Sequence, residues 1–125
     1  MRERLAKKVI IVDEDPSYRT LLKKILKSLN CDVVGEESGG QEAINICERK
    51  KPNIVLLNIR IPLENGLEVL RELKKLNPYV VVLMITTVTE EKTIKRCIEA
   101  GAAGYILKSG TANEIQNRIK KFINL

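Results

Sequence analysis

With 125 residues the chain has room for one continuous hydrophobic core, and 44% hydrophobic against 30% charged residues is a soluble, globular balance. This excludes disorder, a collagen-like repeat and a low-complexity tract, and the longest apolar run, Val80 to Ile85, is too short to cross a bilayer. The net charge of +6 leaves a nucleic-acid or acidic partner open, but the basic residues are scattered as doublets such as Lys7-Lys8, Lys23-Lys24, Lys50-Lys51, Lys74-Lys75 and Lys120-Lys121. Almost no aromatics are interleaved with them, which is the pattern of solvated helix faces.

The amino terminus, Met1-Arg-Glu-Arg-Leu-Ala-Lys-Lys8, is charged and leads into only four apolar residues before Asp13, so no signal-peptide core is expected. Those four, Val9 to Val12, read as a first strand. Asp15 before Pro16 is an N-cap signal, after which Tyr18, Leu21, Leu22, Ile25, Leu26 and Leu29 take the spacing of one buried helical stripe. A second strand reads at Asp32 to Gly35, and Ser38 with Gln41 opens a second helix. Pro52 precedes the third strand, Ile54 to Leu57, and Asn65 with Glu68 opens the third helix. Pro78 precedes the fourth strand, Val80 to Ile85. Gly101 and Gly104 punctuate the passage from the fourth helix to the last strand, Tyr105 to Leu107. Thr111 with Glu114 then opens a helix whose Ile115, Ile119, Phe122 and Ile123 share one face. Cys31, Cys47 and Cys97 are odd in number and widely spaced, and the chain has no histidine, so buried, reduced thiols in a cytoplasmic setting are expected.

Strand-length β-branched runs without polar alternation indicate strands covered on both faces. Repeated strand and helix units with right-handed crossovers then predict an α/β domain over residues 1–125, an open parallel sheet with helices on both sides. In such a sheet function gathers at the carboxyl ends of the strands. There the sequence places Asp13 and Glu14 after the first strand, Asn58 after the third, Thr86 after the fourth and Lys108 after the fifth. Two carboxylates suit a hard divalent cation such as Mg²⁺, while a hydroxyl and an ammonium suit phosphoryl oxygens. Each residue also has a plain structural reading: a turn and helix cap, a β-former, a solvated charge. The second strand, ending in Gly35-Glu36-Glu37, is expected at the sheet edge and to contribute little.

The stretches Val9-Ile-Ile-Val-Asp-Glu-Asp-Pro16, Pro52-Asn-Ile-Val-Leu-Leu-Asn-Ile-Arg-Ile-Pro62, Asn65-Gly66-Leu67, Leu83-Met-Ile-Thr86 and Ala100-Gly-Ala-Ala-Gly-Tyr-Ile-Leu-Lys108 resemble the receiver domains of response regulators over nearly the whole chain. The resemblance implies a flavodoxin-like (βα)5 fold with strand order 2-1-3-4-5. It implies a metal pair at Asp13 and Glu14, a switch hydroxyl at Thr86, a switch aromatic at Tyr105 and a phosphate-binding lysine at Lys108. It also places Asn58 on the phosphoacceptor, where the family normally carries aspartate. An amide is no nucleophile toward a phosphoryl group, so the chain as written is expected not to be phosphorylated, and to hold Mg²⁺ through Asp13, water and the Asn58 carbonyl with reduced affinity. An introduced exchange and a natural receiver that works without phosphate both account for Asn58. Ser109 stands where many receivers have a cis proline, so no cis peptide is expected.

Further expectations follow from the resemblance. The domain is not an enzyme; its partners are a sensor histidine kinase or phosphotransfer protein and an output protein or a second copy, met through the fourth helix, fifth strand and fifth helix. No membrane is involved, and direct nucleic-acid binding needs an added domain. The alternatives are a phosphorylation-independent interaction module, a nucleic-acid binder and a flavodoxin-like cofactor protein. Against the last, the acidic turn Asp13-Glu14-Asp15 lacks a cradle for a flavin phosphate.

Overall fold

A computed structural model describes residues 5–61 and 64–123; Met1 to Arg4 of the charged amino terminus, and Pro62 of the motif that follows the third strand, lie outside the described residues. The elements are β1 (Lys8–Val12), α1 (Pro16–Ser28), β2 (Asp32–Glu37), α2 (Gly40–Lys50), β3 (Ile54–Leu57), β4 (Arg60–Ile61), β5 (Glu64–Asn65), α3 (Gly66–Leu76), β6 (Val81–Thr86), α4 (Glu91–Glu99), β7 (Gly104–Leu107) and α5 (Ala112–Ile123). Five strands form a parallel sheet in the order β2-β1-β3-β6-β7, which is the expected 2-1-3-4-5 once the short β4 and β5 are set aside.

Alternate residues of each central strand feed opposite faces. Ile10, Val12, Val55, Leu57, Val82 and Met84 pack under α2, α3 and α4. Val9, Ile11, Ile54, Leu56, Leu83 and Ile85 pack under α1 and α5, where the stripe Leu22, Ile25 and Leu26 meets Ile115, Ile119 and Ile123. Both faces are covered, which is why these strands tolerate no polar residue until their carboxyl ends.

Asp15 caps α1, its carboxylate accepting from the Ser17 and Tyr18 amides at 2.9 and 3.4 Å. Asn65 caps α3 through the Leu67 amide at 2.8 Å. Glu68 does not complete a box there; it pairs with Arg71 at 2.6 Å. Thr111 and Glu114 form the reciprocal capping box, at 3.2 and 3.3 Å.

Other features also depart from the sequence reading: β1 starts one residue earlier, at Lys8, β6 is shifted by one, to Val81–Thr86, and β7 starts at Gly104. The N-cap of α2 is Gly39, not Ser38, and makes no side-chain bond; the Gln41 amide donates instead to the Glu64 carboxylate at 3.0 Å. β2 runs on to Glu37. β4 and β5 form a two-residue antiparallel ladder, Arg60 with Asn65 and Ile61 with Glu64, too short to leave a hydrophobic period. No peptide bond among the described residues is cis, in keeping with Ser109. The thiols of Cys47 and Cys97 are buried and that of Cys31 half-buried, and burial raises all three pKa values, that of Cys47 to about 12.

Candidate functional site

Four strand ends stand side by side along one rim of the sheet, in the order Asp13, Asn58, Thr86 and Lys108, because β1, β3, β6 and β7 are consecutive neighbours. The backbone runs straight off the strands into these residues: the Asn58 amide still donates to Val12 at 3.0 Å, and the Lys108 amide to Thr86 at 2.9 Å. Asp13, Asn58 and Thr86 are 2%, 7% and 0% exposed, so three polar side chains are buried where the apolar strands stop.

Each buried group must find a partner. The Asp13 carboxylate accepts from the Asp15 amide at 3.0 Å through Oδ1 and meets the Lys108 ammonium at 2.7 Å through Oδ2. The lysine lies over the Tyr18 ring, its Nζ 4.1 Å from the ring centre, a cation–π contact of about 1 kcal/mol. The Asn58 Oδ1 accepts only a long bond from the Arg60 amide, 3.4 Å. The Thr86 hydroxyl oxygen accepts from the Val88 amide at 3.3 Å. Tyr105, half-buried on β7, donates its hydroxyl to the Val88 carbonyl at 2.8 Å, so Thr86 and Tyr105 hold the two sides of one peptide segment. Glu14 lies exposed beside Asp13.

Several contributors carry no local signal in the sequence. Arg19 donates to the Asp13 carbonyl at 2.6 Å and to Glu36 at 2.8 Å, and Lys23 reaches the same carboxylate at 2.6 Å. The edge strand β2, expected to contribute little, therefore braces the backbone of Asp13 through Glu36, whose pKa is lowered by these hydrogen bonds and charges. Arg118 donates to the Leu107 and Ser109 carbonyls at 3.3 and 3.0 Å, fixing the chain on both sides of Lys108. Tyr18 reads in the sequence as one member of a core stripe; its ring does pack there, but its other face supports the lysine. Its pKa is raised to about 12, by burial first and the Asp13 charge second, with Arg118 opposing.

The donor set is one buried carboxylate, one amide carbonyl, one hydroxyl and one ammonium. Among the described residues no three acidic, histidine or cysteine side chains come together to hold a metal ion. Residues 9–120 match the family described as the response regulator receiver domain. The chain belongs to that family.

The receiver domain is 32% identical over 104 residues to the chemotaxis protein CheY of Halobacterium salinarum, covering 83% of this chain and 86% of that one. It is 33% identical over 115 residues to the response regulator protein VraR of Staphylococcus aureus, covering 91% of this chain and 55% of that one. The chain spans about half the length of several curated relatives it matches, VraR among them. Among solved structures, a CheY-like receiver domain protein from Methanospirillum hungatei superposes with a TM-score of 0.88 at 26% identity, over 96% of this chain and 95% of that one. No helix among the described residues is long and apolar enough to cross a membrane.

Proposed function

We propose that this receiver is disarmed at its acceptor: Asn58 occupies the phosphoacceptor position, and the domain signals without becoming phosphorylated. The observation that carries this is the location of Asn58, buried at the carboxyl end of β3 between the ends that bear Asp13 and Thr86. An aspartate there would present a nucleophilic oxygen to a phosphohistidine or an acyl phosphate; the amide presents a carbonyl oxygen of little nucleophilicity and no negative charge. Thr86 and Lys108 are the groups for phosphoryl oxygens, and the domain has no enzymatic activity of its own.

The oxygen donors fit Mg²⁺ in kind. Asp13 and the Asn58 carbonyl would hold it, with Glu14 acting through water, and the ion would supply positive charge to bound phosphoryl oxygens. Affinity is low in this reading, because the one buried carboxylate is already neutralised by Lys108 at 2.7 Å.

Partners follow from the same reading. A sensor histidine kinase or phosphotransfer protein meets the crevice rim, and an output protein or second copy meets the α4, β7 and α5 face. That face carries the basic residues Lys92, Lys95, Arg96, Lys120 and Lys121 beside the half-exposed Ile98. One contact favours output that is independent of phosphate: the Tyr105 hydroxyl is already tied to Val88 inside the fold, so the aromatic needs no phosphoryl signal to turn inward.

Restoring the carboxylate tests the proposal. The Asn58→Asp protein is expected to take label from radioactive acetyl phosphate only when Mg²⁺ is present, and the unaltered protein to take none. Label on the unaltered protein that survives Asn58→Ala, or a folded Asn58→Asp protein that stays unlabelled, would overturn it.

A further inference from the structure

At the end of the sheet opposite to Asp13 and Asn58, α2 packs against α3 and their last turns leave an apolar cavity of about 320 Å³. Cys47, Val55, Leu73 and Val80 line it, and the exposed Glu48, Lys51 and Asn77 stand at its mouth. Beside it the chain turns from α3 into β6 and leaves Leu76 and Tyr79 45% and 90% exposed, two of the four large hydrophobic side chains in solvent among the described residues. Apolar residues gathered at the mouth of a cavity mark a place of contact.

Lys51 and Glu48 balance at the mouth itself, but charge over the two helix ends that flank it is one-sided, with Lys75 paired to Glu72 at 3.6 Å. Arg49, Lys50 and Lys51 end α2, and Lys74 and Lys75 end α3, against the acidic Glu48 and Glu72. Cations at helix carboxyl ends complement the helix dipole, but each end carries only about −0.5 charge, so the two ends leave an excess of about two positive charges. The Lys74 ammonium is held by the Pro78 and Val80 carbonyls at 2.7 and 2.8 Å, which fixes one cation beside the cavity and stiffens the turn that presents Tyr79.

We propose that this basal end is a docking site for an acidic segment of a partner protein that sets one apolar side chain into the cavity. An apolar hole between two basic helix ends recognises an aliphatic anchor flanked by carboxylates: the anchor gives affinity and the charges give register. A nucleic acid fits less well. Single strands want several aromatic platforms, and only Tyr79 stands exposed here. The site lies away from the acceptor rim, so it depends neither on phosphate nor on the state of residue 58.

The test uses the whole chain and a fluorescein-labelled peptide of glutamates flanking one central leucine, read by anisotropy and by amide shifts. Saturable binding is expected, with shifts at Cys47, Leu76 and Asn77. Replacing the leucine by glycine should weaken binding about tenfold or more, the worth of a few buried methylenes. The surface pair Lys51→Glu with Lys75→Glu should weaken it as much, while Lys24→Glu on α1, across the sheet, leaves it unchanged, as does Asn58→Asp with or without Mg²⁺. Binding indifferent to the leucine, shifts confined to the acceptor rim, tighter binding of a thymidine single strand of equal charge, or self-association through these residues would each overturn the assignment. Failure here with successful labelling of Asn58→Asp removes the basal site and leaves the receiver reading standing.

Discussion

The Arg19 guanidinium joins two strand ends that do not share a loop, holding the Asp13 carbonyl with one nitrogen and Glu36 with another. Because Glu36 also meets Lys23, replacing it by glutamine removes charge from a three-membered, partly exposed network, with an expected loss of roughly 1 kcal/mol at neutral pH. Its pKa is lowered by the fold, so its contribution is complete above the ordinary value of 4.5 and vanishes as pH falls through the depressed one. Urea midpoints of the parent and Glu36→Gln proteins should therefore differ at neutral pH and converge on acidification. A gap that persists in acid would mean that shape, not charge, made the difference. Lys108 is the other residue whose setting matters: its ammonium has a carboxylate on one side and the Tyr18 ring on another, a desolvated pair whose rupture from one side is costly, about 3 kcal/mol or more.

At the scale of elements, α3 begins at Gly66, which lies directly against the segment that carries Asn58. A methyl group built there would sit 2.5 Å from the Asn58 carbonyl oxygen and 2.6 Å from the Ile59 Cα, both backbone atoms that cannot swing aside. Gly66→Ala is expected to cost about 1–3 kcal/mol in chemical denaturation and to shift the amide signals of Asn58 and Ile59; unchanged signals would show that the helix moves instead. The close approach is not visible in Asn65-Gly66-Leu67, which reads simply as an N-cap and a helix start. The same division runs through the other elements. Periodicity located β1, β3, β6 and the stripes of α1 and α5, because burial on a sheet or helix face repeats within a few residues. It failed at α2, where the carboxylate serving the helix start belongs to Glu64, and at the β4–β5 ladder, too short for any period. The polar strand ends were legible because a polar residue after a β-branched run is conspicuous; Glu36 and Arg118 were not, since their task depends on which strands lie side by side.

For the whole molecule, the two cores on either side of the sheet each include a tyrosine that resists ionisation. Tyr18 packs with the α1 and α5 side and Tyr105 with the α2, α3 and α4 side, and burial is the first cause in raising both pKa values from 10 to about 12. A raised phenol pKa favours the folded state fully below pH 10, and that support is lost as pH climbs through 12. Alkaline unfolding followed by circular dichroism should accompany the late phenolate absorbance, and Tyr18→Phe with Tyr105→Phe should move the alkaline transition upward in pH; a midpoint unmoved by the pair would sink this account. Two of the doublets that read as scattered solvated lysines, Lys50-Lys51 and Lys74-Lys75, turn out to close α2 and α3 at one end of the molecule, an arrangement that only the packing of successive helices brings about. Strand order has a last consequence, for synthesis. β1 is made first yet needs β2 on one edge and β3 on the other, so a nascent chain that stops short of Ile54 must carry an open row of amides and carbonyls on its first-made strand. β3 in turn waits for β6, and β6 for β7, so chaperone capture during translation should fall away only once Leu107 clears the ribosome.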